Sequence, residues 1–199
     1  MSMRSPRYRP YGFTLPELLV TLAVIAILAM VAMPSFNHLI RRQRVSMVVN
    51  QLVGDLAYAR AEAATRGSFV SICASSDGNS CSGSTSYTAG WLVYAYSAGA
   101  AGANQAYDAS QPNKFALLRT AETRSGVAVT ATDATMLTYG QQGQIKRDLI
   151  ASPFSFVVCS RVDGSGDAEN TSTVPGIQVG MVGSGGVSTQ TLAADAGCS

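Results

Sequence analysis

The chain has 199 residues and a net charge of +2 at pH 7, with 47% apolar and 13% charged residues. This composition excludes a highly charged disordered protein, and the length predicts one domain with an appendage. Six basic and nine acidic residues occur from Phe69 onward, a balance of −3. Nucleic-acid binding draws most of its affinity from positive charge, which this region lacks. One His and four Cys leave little for a zinc or histidine-based catalytic site.

An uncharged stretch of 20 residues, Leu18–Asn37, follows a short basic segment. At about 1.5 Å per residue it would reach roughly 30 Å, the hydrocarbon thickness of a bilayer. A secretory signal peptide is the alternative, but its apolar core is ordinarily ~7–15 residues long and has no use for an acid such as Glu17. The pattern therefore predicts a membrane span over residues 13–37. Three arginines on each side of it leave the orientation open.

The segment Gly12–Leu19, GFTLPELL, resembles the prepilin peptidase site of type IV pilins and type II secretion pseudopilins. The resemblance implies that residues 1–12 are a leader peptide and that the peptidase cleaves between Gly12 and Phe13 on the cytoplasmic side. It also implies N-methylation of Phe13 and an assembly role for Glu17, the fifth residue after the cut. Pro34 matches a proline that members of this family often carry.

Glu17 should have a partner, because a carboxylate in the bilayer centre costs ~2.5–3.5 kcal/mol on insertion scales. Cleavage after Gly12 would create an ammonium group at Phe13, one helical turn away. In a bundle the nearest amine could belong to a neighbouring subunit. We expect Glu17 to neutralise this amine and so set subunit register. The alternative is that Glu17 sits at headgroup level and pairs with nothing.

Beyond Pro34, apolar residues recur at spacings of three and four, which is typical of an amphipathic helix. One helix of about 50 residues is therefore predicted, bent at Pro34 and ending at Gly67, with its amphipathic part over residues 38–67. The predicted buried stripe consists of Val45, Val48, Val49, Leu52, Leu56, Ala59 and Ala63.

After Gly67 the pattern becomes that of short strands separated by Gly, Ser, Asn or Pro. Two segments of low complexity, Ser75–Gly90 and Ser97–Asn113, are predicted to be long surface loops. The fold prediction is α+β, with the long helix packed on an antiparallel, β-sandwich-like head over residues 68–199. The predicted strands are Phe69–Ala74, Trp91–Tyr96, Phe115–Arg119, Val127–Ala131, Met136–Tyr139, Phe154–Cys159, Ile177–Val182 and Val187–Leu192.

The helical segment Asn50–Ala63, followed by Arg66-Gly67, Cys73 and the strand sequence GWLVY from Gly90, resembles the signature of GspH/FimT minor pilins. These motifs concern packing, since alanines permit close helix–sheet approach and Trp91 should fill the core. The resemblance implies a structural protein rather than an enzyme, without cofactor or metal. It implies an anchor in the bacterial inner membrane, a periplasmic head and later incorporation at a filament tip. Its partners would be other pilins or pseudopilins, the prepilin peptidase and membrane lipid.

The four cysteines allow three pairings. Closeness in sequence favours Cys73–Cys81 and leaves Cys159–Cys198, and free buried thiols or a metal site are the alternatives. Disulfides would agree with an oxidising compartment such as the periplasm. A run of alternating oxygen ligands, Asp163, Ser165, Asp167 and Glu169, lacks the order of an EF-hand and is interpreted as a solvated turn.

Three functions compete. The first is a FimT-like minor pilin of a type IV pilus, which primes or caps filament assembly and supports twitching motility or DNA uptake. The second is a GspH-type pseudopilin of a type II secretion system. The third is a DNA receptor, because FimT-like proteins can capture DNA through a basic Gly-Arg-x-Arg stretch.

The DNA-receptor function is disfavoured by the turn that corresponds to this stretch. That turn, Gly185–Ser188, contains no arginine. Lys146 and Arg147 are the only adjacent basic pair in the head and are the candidate DNA-binding residues. An adhesin that presents its two long loops to a ligand is an unrelated alternative.

Overall fold

The structure is a computed structural model that describes residues 12–99, 102–123, 125–132, 136–146 and 154–198. The side chains of residues 31–35 and 163 also lie outside the description. Most of the predicted leader, residues 1–11, and Arg147 therefore lie outside the described residues. The chain divides into two compact units, Met1–His38 and Leu39–Ser199.

A single long helix, α1 (Leu15–Arg66), accounts for the first third of the chain. It ends in a Schellman motif, in which the Ser68 N–H donates to the Ala63 carbonyl oxygen at 3.3 Å. Gly67 lies between them at a φ of 59°, a left-handed conformation that residues with a Cβ adopt at a cost. The prediction of one helix that ends at Gly67 is confirmed. The bend at Pro34 stays a prediction.

In the first unit, the described apolar side chains of α1 are exposed, among them Leu19, Ile25 and Leu28. Across the described residues, no helix combines the length and the apolarity that a membrane span requires. The span predicted over residues 13–37 is therefore carried below only as a proposal.

In the second unit, nine described strands form two antiparallel sheets. The first sheet has the order β3-β2-β1-β5, and the second has the order β4-β6-β8-β9, with β7 paired to β6. The strands are β1 (Phe69–Ala74), β2 (Gly90–Tyr96), β3 (Phe115–Glu122), β4 (Val127–Ala131), β5 (Leu137–Tyr139), β6 (Ser155–Arg161), β7 (Ala168–Glu169), β8 (Ile177–Met181) and β9 (Val187–Thr191).

The main core lies where the amphipathic part of α1 meets both sheets, and the predicted α+β architecture is confirmed. All seven residues of the predicted apolar stripe are buried, from Val45 to Ala63. Trp91, on β2, is buried in the same core, as predicted. Alanines at positions 59 and 63 leave room for the sheets to approach the helix closely.

The eight predicted strands are all present and in the predicted order. β1 and β4 have the predicted bounds, and the other six differ from them by one to three residues at an end. The strand predicted to end at Arg119 continues to Glu122, and the strand predicted as Phe154–Cys159 begins at Ser155 and continues to Arg161. The predicted solvated turn around Asp163–Glu169 was incomplete. It contains a short 3-10 helix, Val162–Gly164, and β7, which pairs with the end of β6.

Candidate processing and assembly site

The described residues at the predicted cleavage site are exposed. Gly12, Phe13 and Thr14 precede the first residue of α1. The Phe13 side chain is 80% exposed, and a Cβ added at Gly12 would meet no atom within 4 Å. An uncovered segment outside the helix is one that a peptidase can reach.

Glu17 caps the start of α1. Its carboxylate accepts from the Thr14 N–H at 3.4 Å and from the Thr14 hydroxyl at 3.5 Å. Thr14 at the N-cap and Glu17 three residues later form the carboxylate half of a capping box, and the acid also faces the positive end of the helix dipole. The sequence contains this signal, Thr-x-x-Glu before an apolar run, although the capping role of Glu17 was not predicted from it.

Both pairs of cysteines form disulfides in the structure, in the pairing that sequence closeness favours. Cys73 on β1 bonds Cys81, 8 residues later, and Cys159 on β6 bonds Cys198, 39 residues later. In the chain-entropy relation these loop lengths correspond to about 2.5 and about 4 kcal/mol of stabilisation. The second disulfide thus ties the last described residues to a central strand of the second sheet.

The Cys73–Cys81 disulfide lies in a small aromatic cluster on the first sheet. The Tyr94 hydroxyl donates to the Gln105 carbonyl oxygen at 2.7 Å, and the Tyr107 N–H donates to the Cys81 sulfur at 3.3 Å. Burial, with Tyr96 adding to it, raises the pKa of Tyr94 well above its usual range. The two segments that were predicted to be long surface loops, Ser75–Gly90 and Ser97–Asn113, therefore both contact the first sheet through this cluster.

The first of these loops is organised by Asp77. Its carboxylate accepts from the backbone N–H groups of Asn79 and Ser80, each at 2.9 Å, and from the Ser80 and Ser75 hydroxyls. These hydrogen bonds, the Asn79 N–H foremost, hold the pKa of Asp77 well below its usual range. The carboxylate thus acts as the centre of a tight turn.

A buried polar contact joins α1 to the first sheet. Asp55 is buried, and its two carboxylate oxygens accept from Trp91 Nε1 at 2.9 Å and from Arg119 at 3.0 Å. The Arg119 guanidinium lies over the Tyr58 ring at 3.7 Å, a cation–π geometry. The sequence analysis did not predict this contact. The partners of Asp55 come from distant strands that no local pattern predicts.

Arg60 joins α1 to two turns of the second unit. It donates to the carbonyl oxygens of Gly143 at 3.1 Å and Ser184 at 3.0 Å. Ser184 belongs to the β8–β9 turn, where Gly185 has a φ of 84° and a Cβ would overlap the Gly143 carbonyl oxygen. The backbone of the β8–β9 turn, which corresponds to the basic stretch of the DNA-receptor hypothesis, therefore packs closely against the backbone at Gly143.

Lys146 is exposed, and its N–H donates to the Thr138 carbonyl oxygen at 2.8 Å. In the acidic segment, Glu169 lies 3.7 Å from the Arg41 guanidinium of α1. Among the residues that the structure describes, no three His, Cys, Asp or Glu side chains are grouped so that they could hold a metal ion.

Two family models match the chain. The model described as "Type II transport protein GspH" matches residues 48–183. The model described as "Prokaryotic N-terminal methylation motif" matches residues 7–33, which include the segment with Gly12, Phe13 and Glu17. A search of curated proteins found no match to this chain.

Two crystal structures of the type IV minor pilin FimU from Pseudomonas aeruginosa are similar to this structure. One, in space group P21, is 17% identical over 77% of this chain and 96% of FimU, with a TM-score of 0.50. The other, in space group P65, is 18% identical over 76% of this chain and 98% of FimU, with a TM-score of 0.45. At this identity the first likeness concerns the fold, a long helix packed on antiparallel sheets.

Proposed function

The chain belongs to the GspH family, whose members are minor pilins or pseudopilins, and from this premise we propose that it is a FimT-like minor pilin of a type IV pilus. Its task would be to prime or cap filament assembly. The family and the fold are structural rather than catalytic, and assembly with other pilins or pseudopilins follows from membership. The match of one chain to both the methylation motif and the GspH model supports a minor pilin or pseudopilin. The FimT-like leader sequence and the long loops of the head are what favour the pilus.

We propose that a prepilin peptidase cleaves between Gly12 and Phe13 and that Phe13 is then N-methylated. The exposure of this segment supports an accessible cleavage site. Residues 13–37 would hold the chain in the inner membrane, and the head would lie in the periplasm. The uncharged sequence from Leu18 to Asn37 and the two disulfides support this location.

Glu17 is proposed to neutralise the new ammonium group at Phe13, its own or that of a neighbouring subunit. The capping geometry supports this role, because it already directs the carboxylate toward the start of the helix. Pro34 is proposed as a second assembly determinant, on the basis of the family resemblance alone.

A pseudopilin of a type II secretion system is the second candidate. The matching family model, that of a type II transport protein, favours it. The likeness in fold to FimU, a type IV minor pilin, favours the pilus. DNA binding through Lys146 and Arg147 remains the weakest candidate, because Asp148 follows this basic pair directly.

Mass spectrometry of the mature protein tests the processing step, and the expected first residue is a methylated Phe13. Any other first residue would contradict the peptidase route. Deletion of the gene should abolish twitching motility and leave protein export intact if the chain serves a pilus. The reverse phenotype would assign it to secretion. Salt-dependent retention of DNA by the purified full-length protein would instead support the receptor function.

A further inference from the structure

We propose that the free edge of β9, together with the flank of α1 beside it, binds one extended strand of another subunit in the filament. This inference rests on the proposed function, because it identifies where a neighbouring pilin or pseudopilin attaches. Within the described residues, β9 pairs with β8 alone, and its second edge has no strand partner.

The direction of the backbone groups on β9 follows from its register with β8. Leu192 N–H donates to the Gly176 carbonyl oxygen at 2.9 Å, and Val182 N–H donates to the Gly186 carbonyl oxygen at 3.0 Å. In an antiparallel ladder the bonded pairs alternate. The even-numbered residues of β9 therefore face β8. The N–H and C=O groups of Thr189 and Thr191 point away from it, in the position where another strand would pair.

Within the described residues, the other edge strands are short, covered or protected. β5 has only three residues, and β4, which has five like β9, carries the segment 85–87 on its outer edge. There the Tyr87 N–H donates to the Val129 carbonyl oxygen and the Ala131 N–H donates to the Thr85 carbonyl oxygen, each at 2.8 Å.

β3 carries Arg119 and Glu122, and its pairing with β2 has a register shift after Val93. Charges and irregular register are the devices that keep sheet edges from adding strands. β9, with the sequence VSTQT, has no charge, no proline and no register shift. β9 therefore lacks the features that keep another strand from pairing with a sheet edge.

The space beside β9 is lined mostly by small, uncharged residues of α1. One concavity, of about 200 Å³, lies between Ser46 and Asn50 of α1 and Thr189 and Thr191 of β9. A second, of about 470 Å³, has Ala57, Ala61 and Ala64 of α1 on one wall and Val187 on the other.

Arg60 also lines the second concavity, but its guanidinium is already bonded to the carbonyl oxygens of Gly143 and Ser184. Arg60 keeps its positive charge, but its Nε and one terminal nitrogen are already used by these backbone carbonyl oxygens, and the other residues that line the two concavities are uncharged. Together with the outward N–H and C=O groups of Thr189 and Thr191, this lining matches a polypeptide backbone. Alternate side chains of an added strand would face the alanines. The occupant should thus carry small or β-branched, uncharged residues at every second position.

Amide hydrogen exchange in the full-length protein tests the proposal directly. We expect the Thr189 and Thr191 amides to exchange fast in detergent micelles and to become protected in purified filaments. The Ser188 and Gln190 amides face β8 and serve as internal controls that are protected in both states. Equal exchange of Thr189 and Thr191 in micelles and filaments would overturn the proposal.

A matched pair of variants tests the same contact in cells. Thr189→Pro removes an outward N–H without removing a bond to β8, whereas Thr189→Ala keeps that N–H. We expect Thr189→Pro to lower incorporation into filaments about fivefold relative to Thr189→Ala, the equivalent of one lost backbone hydrogen bond. Equal incorporation of the two variants would contradict strand addition. If Thr189→Pro failed to fold, the exchange experiment on the unmodified chain would still decide.

The two proposals fail in different ways. Absence of the unmodified chain from filaments would overturn the proposed function and this inference with it. Presence of the unmodified chain, with unchanged exchange at Thr189 and Thr191, would overturn the docking edge alone.

Discussion

The two parts of α1 place equally apolar side chains in opposite environments. In the first unit, Leu28 is 64% exposed, whereas in the second unit Leu52 and Leu56 are completely buried. The difference follows from pattern, because the second part has a single apolar stripe that both sheets cover, and the first part is apolar around its circumference. The comparison teaches that the first part requires an apolar partner outside this chain, which we propose to be lipid and then other subunits.

Truncation of one leucine in each part would test this contrast most strongly. Leu52→Ala should lower the free energy of unfolding by about 2–5 kcal/mol, because it leaves a cavity in the core. Leu28→Ala, at an exposed position, should change it by less than about 0.5 kcal/mol. Denaturant titration of the full-length chain in micelles, followed by fluorescence of the single Trp91, measures both. Similar losses for the two variants would break the comparison.

A second test concerns the carboxylate of the first part. Glu17→Ala should reduce incorporation into filaments on the order of a hundredfold, because an unpaired charge at the bilayer centre costs about 3 kcal/mol. Glu17→Gln is the matched control, since its side chain can still cap the helix at Thr14 but cannot neutralise an amine. We expect both variants to fail in assembly. Normal incorporation of Glu17→Ala would refute the charge-pairing role, and rescue by Glu17→Gln would assign Glu17 to capping.

The carboxylate of the second part has its partners inside the chain, and its loss should act on stability. Asp55→Ala should lower the free energy of unfolding by about 1–3 kcal/mol, because it leaves the buried Trp91 N–H without an acceptor. Asp55→Asn should cost less, since its amide oxygen can still accept from Trp91. Arg119→Ala should cost less than about 1 kcal/mol, because its side chain is 47% exposed. Denaturant midpoints order the three variants, and an equal cost for Asp55→Ala and Asp55→Asn would contradict the hydrogen-bond assignment.

The smallest expected effect is the pH dependence of the loops on the first sheet. Hydrogen bonds lower the pKa of Asp77, and those from Ser110 foremost lower the pKa of Asp108. A lowered folded-state pKa contributes stability above the unfolded value of about 3.9, and this stability is lost as pH falls toward the folded value. Asp77→Asn should therefore reduce stability at pH 7 and reduce it less below about pH 3. A constant difference between the variant and the unmodified chain across this range would contradict the assignment.

The buried tyrosines should affect the pH dependence of stability on the alkaline side. Burial raises the pKa of Tyr139 to about 12, so its contribution is complete below the unfolded value of about 10 and is lost as pH rises through 12. Tyr94 acts in the same direction. Tyr139→Phe keeps most of the buried ring and should flatten the alkaline loss of stability. A profile identical to that of the unmodified chain would show that Tyr139 does not contribute to it.

Features that depend on neighbours in sequence were predictable. The spacing from Val45 to Ala63 gave the buried face of α1, and Gly67 gave its end, because helical periodicity and left-handed caps are local. β1 and β4 were predicted with their observed boundaries, because a short apolar run bounded by turn residues is also a local signal. β7 was missed because two residues carry no periodicity, and they form a strand only by pairing with Ser160 and Arg161.

The sequence by itself determined the elements of this protein. These are a long helix that is apolar all round in its first part and amphipathic in its second, a methylation motif at the start of that helix, and a head of short strands. Only the tertiary structure decided the partners of Asp55 and Arg60 and the order of the strands. It also placed β9 beside α1 as an edge strand that, within the described residues, pairs with β8 alone. The physical reason is the range of the interactions. Periodicity and capping act within a few residues, whereas Asp55 meets Arg119 across 64 residues and Arg60 meets Ser184 across 124.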